Sequence, residues 1–135
     1  MSQENVEIVR RAFEALNRRD VEAFLESTDP NVIQDWSRAV GPQRGIYHGR
    51  DEVVRFLRSW WDAFDESVIV VDDLIDAGDG QVVAVFHGRQ RGRSSGATVE
   101  GRGSVLVWNL REGKLVSSTL YQERAEALEA VGLAE

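Results

Sequence analysis

Hydrophobic and polar residues alternate along three neighbouring stretches of the second half of the chain, which predicts three consecutive β-strands. These stretches read QVVAVFHGRQ, TVEGRGSVLVWNL and KLVSSTLYQER, and the glycine-containing segments SSGA and REGK between them are typical of hairpin turns. Both faces of the predicted sheet are apolar, because Val82 and Phe86 point to one side and Val83 and Val85 point to the other. An antiparallel sheet with one solvated face would alternate more cleanly. We therefore expect cover on both sides, one from the amino-terminal helices and the other from a second copy of the chain.

Elsewhere apolar residues recur every three to four positions, which predicts helices. The pattern indicates a first helix over 2–17, a short second helix over 21–27, a third over about 51–64 and a closing helix over 124–131. Between them it predicts a turn over 28–31, a brief strand over 32–36, a loop over 37–49 and another strand over 68–75. Helices segregated to one side of an antiparallel sheet define an α+β fold, here a curled sheet around the third helix in one domain spanning 1–135.

Composition narrows the class of protein. The chain has 135 residues, 42% of them hydrophobic and 29% charged, which is typical of a globular domain. No apolar run is long enough for a membrane span, and no signal segment opens the chain, so the expectation is a cytoplasmic protein. A net charge of −7 argues against general affinity for nucleic acid or for anionic membranes. With no cysteine and two histidines, the sequence predicts neither a metal site nor a bound cofactor.

Several segments together resemble one family. The opening NVEIVRRAFEALNRRDVEAFLE, the segment GIYHGRDEVVRFLRSWWDAF, the hairpin RGRSSGATVEGRGSVLVW and the tail LYQERAEALEAVGL are similar to the SnoaL-like branch of the nuclear-transport-factor-2-like (NTF2-like) superfamily. The resemblance implies a cone-shaped, cystatin-like α+β fold with an internal pocket, and frequent homodimers formed through the sheet. It implies less about activity, because relatives include cyclases, isomerases, hydrolases, dehydratases and proteins with no known reaction. The isomerases of the superfamily pair an aspartate base with a tyrosine and a protonated aspartate, and no second strand carboxylate matches that arrangement in this sequence.

Three residues are candidates for cofactor-free acid–base chemistry, which needs a group whose pKa is shifted towards neutrality. Asp35 follows an apolar pair on a strand and is predicted to point inward as a base; the alternative is a surface aspartate at a strand end. His87 suits proton transfer near pH 7, and the alternative is a histidine on a dimer face or at a strand end. Tyr47 carries a hydroxyl that could act as a donor or general acid.

Aromatic residues are predicted to wall the pocket. Their alternative role is ordinary core packing, and Trp61 is preferred over Trp60 because it lies off the main apolar stripe of its helix. Arg102 is placed near the pocket as a partner for an anionic ligand, although the arginines of this hairpin also suit a solvated sheet end. The predicted ligand-binding residues are Trp36, Trp61, Phe64, Phe86, Arg102, Trp108 and Tyr121.

The sequence leaves three functions open. The first is an enzyme acting by acid–base chemistry on a small hydrophobic substrate. The second is a non-catalytic module that binds a small hydrophobic molecule. The third is a dimeric interaction domain whose pocket is filled by its own rings, which a structure with no cavity above roughly 300 Å³, the lower end for ligand sites, would favour.

Overall fold

A computed structural model of the chain describes residues 2–40, 43–92, 96–101 and 103–133. These residues form four helices and seven strands, in the α+β arrangement that the sequence predicts. The helices are α1 (Ser2–Asn17), α2 (Val21–Glu26), α3 (Gly49–Ala63) and α4 (Arg124–Ala130). The strands are β1 (Thr28–Trp36), β2 (Gly45–His48), β3 (Phe64–Gly78), β4 (Gln81–Gly92), β5 (Thr98–Glu100), β6 (Ser104–Arg111) and β7 (Lys114–Tyr121). None of the described helices is both long and apolar enough to cross a membrane.

The strands form one curved, open sheet in the order β2-β1-β7-β6-β4-β3, with β5 paired to the far end of β4. The sheet is mixed, because β1 runs parallel to β7 while the other neighbours are antiparallel. The sheet is therefore antiparallel, as the sequence predicts, except at this pair. Three register shifts interrupt the long β3–β4 ladder, and irregularities of this kind bend strands and increase their twist.

The concave inner face of the sheet packs against α1 and α3. Val9 and Phe13 of α1 and Val53 of α3 are almost completely buried, together with Val82 and Leu115 of the sheet. The apolar stripes read from the sequence are thus the core faces of these two helices. The core therefore lies between the helices and the inner face, and the cavity described below opens within it.

The outer face is covered in part by the chain itself. Val83, Val105 and Val107 are buried and form a second apolar cluster with Ala127 of α4. The carboxyl-terminal helix folds back over these residues, so this part of the outer face is covered without the expected second copy of the chain. Homodimerisation stays a prediction, and Ile33 and Ile46 are the large hydrophobic residues still exposed on the outer side of β1 and β2.

The remaining differences from the sequence pattern lie at element boundaries. The predicted turn at 28–31 is instead the beginning of β1, which starts earlier than its alternation indicates. The predicted loop over 37–49 contains β2, a four-residue edge strand. The stretch 98–110 forms two strands rather than one, because it is interrupted between Glu100 and Ser104, where glycines weaken strand pairing.

Candidate functional site

A cavity of about 290 Å³ lies between the inner face of the sheet and the two long helices. This volume is at the lower end of the range for small-molecule sites, which begins near roughly 300 Å³. Its wall is formed by aromatic and aliphatic side chains, with hydroxyl and amide groups between them. The side chains that line it include Phe13, Leu16, Phe24, Trp36, Phe56, Leu57, Trp60, Trp61, Phe86, Leu106, Trp108 and Leu120. All four tryptophans of the chain therefore lie in the wall.

The described part of the wall contains no ionisable side chain. Its polar members are the amides Asn17, Gln34, Gln43, Gln90 and Gln122 and the hydroxyls Ser67, Ser104 and Ser118. A charged ligand would have to leave water without gaining an opposite charge from these residues, which is unfavourable. The wall thus suits an uncharged molecule with a large apolar surface.

Two of these polar residues, Gln34 and Ser118, lie side by side with Trp108 across the floor of the cavity. Gln34 of β1 pairs with Ser118 of β7, and Ser118 pairs with Trp108 of β6. Because paired residues on neighbouring strands share a face, all three side chains leave the sheet on its inner side. They are 8%, 3% and 4% exposed, respectively. We call these three residues the polar rung.

Two nitrogen atoms of the polar rung are buried without a hydrogen-bond partner. They are Nε2 of Gln34 and Nε1 of Trp108, the two such side-chain atoms within the described ranges. Trp60, in contrast, donates its Nε1–H to Oγ of Ser67 at 2.8 Å. Buried polar groups are nearly always paired in folded proteins, so two unpaired donors on one rung are unusual.

Asp35 does not line the cavity. It lies on the outer side of β1, opposite Ile46 of β2, so the predicted inward orientation was wrong. Its Oδ1 accepts hydrogen bonds from both the backbone N–H and the hydroxyl of Ser37, at 3.0 and 2.6 Å. These bonds lower the pKa of the Asp35 carboxyl, which is the opposite of the shift that a general base near neutrality needs.

His87 also lies on the outer face, between two carboxylates. Its Nδ1 is 2.8 Å from Oδ2 of Asp72 on β3, and its Nε2 is 2.9 Å from Oε2 of Glu100 on β5. Both contacts raise the pKa of the imidazole, with the bond to Asp72 as the larger cause. His87 is therefore the centre of an ion cluster joining three strands, and it does not face the cavity.

Tyr47 lies beside the cavity rather than in its wall. Its hydroxyl donates to the backbone carbonyl of Gln43 at 2.7 Å, and its ring packs on Phe56 with centroids 4.8 Å apart. Burial raises the pKa of the Tyr47 hydroxyl. The phenol therefore holds the loop before β2 in place and has its proton engaged.

The predicted ligand-binding residues divide into two groups. Trp36, Trp61, Phe86 and Trp108 line the cavity. Phe64 instead packs its ring on Trp60, with centroids 5.4 Å apart. Tyr121 belongs to the outer cluster, where the guanidinium of Arg38 lies 4.7 Å from the centre of its ring. Arg102 lies outside the described residues.

Sequence reasoning named Trp108 of the polar rung but missed Gln34 and Ser118. The signal was present in β1, since Gln34 shares its alternation with the buried Val32 and with Trp36. Asp35 shares its alternation with Ile33, and the prediction placed that set of residues on the inner face. Ile33 is 39% exposed, whereas Val32 is 3% exposed, so the true inner set is Val32, Gln34 and Trp36.

A second, more open depression of about 610 Å³ borders the cavity and shares Gln43, Phe56 and Trp60 with it. Glu52 and Arg55 line this depression, so its surface is charged and in contact with water. The smaller, better enclosed cavity is the stronger candidate site. In the described part of the chain, no three histidine, aspartate or glutamate side chains are arranged to hold a metal ion.

The model of the SnoaL-like domain family matches residues 9–118. The chain belongs to the SnoaL-like domain family. The match extends from α1 to β7 and so includes both helices and all the strands around the cavity. The resemblance read from the sequence is thereby confirmed. No curated protein matches the chain.

Solved structures agree with this family and with its cone-shaped fold. An NTF2-like protein of unknown function from Burkholderia pseudomallei is 27% identical, with a TM-score of 0.74 over 95% of this chain and 97% of the other. A protein from Xanthomonas campestris, described as a candidate polyketide cyclase, is 21% identical, with a TM-score of 0.73 over 96% and 98%. TerC, co-crystallised with polyporic acid, is 18% identical, with a TM-score of 0.74 over 96% and 98%. The last two show a common fold alone.

Proposed function

We propose that this SnoaL-like protein binds a small, uncharged and largely apolar organic molecule in its cavity. The observation that carries the proposal is the wall itself, which combines four tryptophans with amides and hydroxyls and has no ionisable side chain in its described part. Apolar walls with a few neutral polar groups are typical of small-molecule sites. Of the related structures, TerC has been co-crystallised with a small organic molecule, polyporic acid.

Binding is better supported than acid–base catalysis. The residues predicted to carry catalysis are Asp35, His87 and Tyr47, and all three lie outside the cavity wall. A general acid or base must come within hydrogen-bond reach of the proton that it moves. The cavity, at about 290 Å³, is just below the roughly 300 Å³ at which ligand sites begin, so its volume alone does not argue against the third possibility, an interaction domain.

The test uses two ligands of one shape and different charge, acetylnaphthalene and naphthoate. Because every tryptophan of the chain lies in the wall, quenching of tryptophan fluorescence reports binding at this site directly. We expect saturable quenching by the neutral ketone and at least about tenfold weaker binding of the carboxylate, since a charge in this wall stays unpaired.

Two variants one residue apart provide the matched control. Ser118→Leu adds bulk to the cavity floor, whereas Ser117→Leu makes the same change on the outer face. Ser118→Leu should weaken acetylnaphthalene binding while Ser117→Leu leaves it unchanged. Equal binding by both variants, or tighter binding of naphthoate than of the ketone, would contradict the proposal.

A further inference from the structure

One end of the cavity wall consists of backbone without side chains. Gly88 of β4 and Gly101 both line the cavity, and they are neighbours because the N–H of Gly101 donates to the backbone oxygen of Gly88 at 2.8 Å. Neither glycine has a positive φ, so the backbone conformation does not require glycine at either position. A glycine within a strand weakens the strand and often marks a place where another group approaches the backbone closely.

The group that approaches Gly88 is the amide of Gln90. Residues 88 and 90 leave β4 on the same, inner side, and the Gln90 side chain turns back along the strand to cover Gly88. A Cβ atom at position 88 would overlap with Nε2 of Gln90 and would lie 3.1 Å from its Cδ. The amide of Gln90 therefore occupies the space that a side chain at position 88 would take.

Hydrogen bonds do not hold this amide in place. No side-chain hydrogen bond among the described residues involves Gln90, whereas the amide of Gln122 donates to the backbone oxygen of Arg38. Neither polar atom of Gln90 is among the fully buried, unpaired atoms, so the amide has surface open to the cavity or to water. Gln90 pairs with Val99 of β5, which is 59% exposed, and thus lies at the rim of the sheet. Its side chain can turn into water without losing a hydrogen bond to the protein.

We infer that Gln90 is a displaceable plug that limits the length of the ligands that the cavity accepts. With the amide over Gly88, this end of the cavity is closed. A longer planar molecule fits when Gln90 turns out to water, which gives up the contacts between the amide and Gly88 but opens the backbone of Gly88 and Gly101 to the ligand. Side-chain rotations of this kind are common at binding surfaces. The inference rests on the proposed function and adds the residue that determines ligand size.

The test compares acetylnaphthalene with acetylanthracene, which has one more fused ring. The quantity measured is the ratio of their two dissociation constants, from tryptophan quenching, in the wild type, in Gln90→Ala and in the double variant Gly88→Ala/Gln90→Ala. Gln90→Ala removes the plug, so the ratio should shift about tenfold in favour of acetylanthracene, an effect of the size that one methylene group has in an apolar pocket. The double variant places a methyl group over the same stretch of backbone, so most of that gain should be lost.

Two substitutions outside the cavity wall are the matched controls. Gly103→Ala adds the same methyl group to a nearby glycine, where the new Cβ would lie an ordinary 3.7 Å from the backbone oxygen of Phe86. Arg89→Ala shortens the side chain next to Gln90 in sequence, which leaves β4 on the outer face. Both variants should keep the wild-type ratio.

Nuclear magnetic resonance gives a second readout that needs no variant of Gln90. The side-chain NH₂ signals of Gln90 in the wild type should shift more on binding of acetylanthracene than on binding of acetylnaphthalene, because only the longer molecule displaces the amide. The NH₂ signals of Gln122, which is bonded to Arg38, serve as the reference.

The outcomes separate the two proposals. If acetylnaphthalene does not bind to the wild type, the proposed function fails. If it binds, but the ratio is the same in the wild type and in Gln90→Ala, the cavity takes ligands and the inference about Gln90 is overturned. An equal gain in Gln90→Ala and in the double variant would also overturn it, because the space over Gly88 would then have no role. Should Gln90→Ala fail to fold, NH₂ signals of Gln90 that respond equally to both ligands would overturn it instead.

Discussion

Replacing Gln34 by methionine should make the unliganded protein more stable. The Gln34 side chain is 8% exposed, and its Nε2 has no hydrogen-bond partner among the described residues. An unpaired buried polar group costs about 1–3 kcal/mol, and an unbranched apolar side chain of similar length avoids that cost. We therefore expect the free energy of unfolding to rise by about 1–3 kcal/mol in Gln34→Met.

Urea denaturation measures this change, and the m-value should stay constant so that the midpoint reports stability alone. For a domain of this size, each kcal/mol should also move the melting temperature by roughly 3–6 °C. Gln122→Met is the matched control, because Nε2 of Gln122 donates to the backbone oxygen of Arg38 at 2.8 Å. Loss of that bond should cost about 0.5–1.5 kcal/mol, so the same substitution is expected to have opposite signs at the two positions.

The reasoning is refuted if Gln34→Met destabilises the protein as much as Gln122→Met does. That result would mean that the Gln34 amide is already paired in the unliganded protein. The expected result has a functional meaning as well. Binding sites often contain a polar residue at a position where an apolar residue would make the folded protein more stable.

Two further predictions concern the outer face. The contacts with Asp72 and Glu100 raise the pKa of His87. The stabilising effect of these contacts should therefore be complete below about pH 6.5, which is the pKa of histidine in the unfolded chain. It should disappear as the pH rises through the higher pKa of His87 in the folded protein. In urea denaturation, the stability difference between the wild type and His87→Gln should therefore shrink as the pH is raised from 6 to about 9. A constant difference for His87→Gln would show that the cluster does not act through its charge. Sedimentation velocity should detect a homodimer at micromolar concentration. Ile33→Lys should shift the equilibrium towards monomer, because Ile33 is exposed on the outer side of β1. If the wild type sediments only as a monomer, the prediction of a dimer is wrong.

The sequence by itself determined the helices, most of the strands and the family. The apolar stripe through Val9 and Phe13 and the one through Val53 and Leu57 have the period of a helix, and each is the buried face of its helix. The turn between β6 and β7 was also predictable, since Glu112 and Gly113 both adopt positive φ and glycine favours that conformation. Periodicity and turn chemistry are local properties, and local sequence specifies them.

Only the tertiary structure decided which face of each strand is the inside. A period of two gives two sets of residues in β1 and does not say which set is buried, so Asp35 was predicted to face the interior in place of Gln34. The outer face of the sheet posed the same problem, because nothing in its alternation shows that α4 folds back over Val83 and Val107. The polar rung exists because β1 lies parallel to β7, which places Gln34 beside Ser118, 84 residues away in the chain. Strand pairing between residues so far apart in the chain depends on the whole fold. The positions of the polar groups in the cavity depend on that pairing.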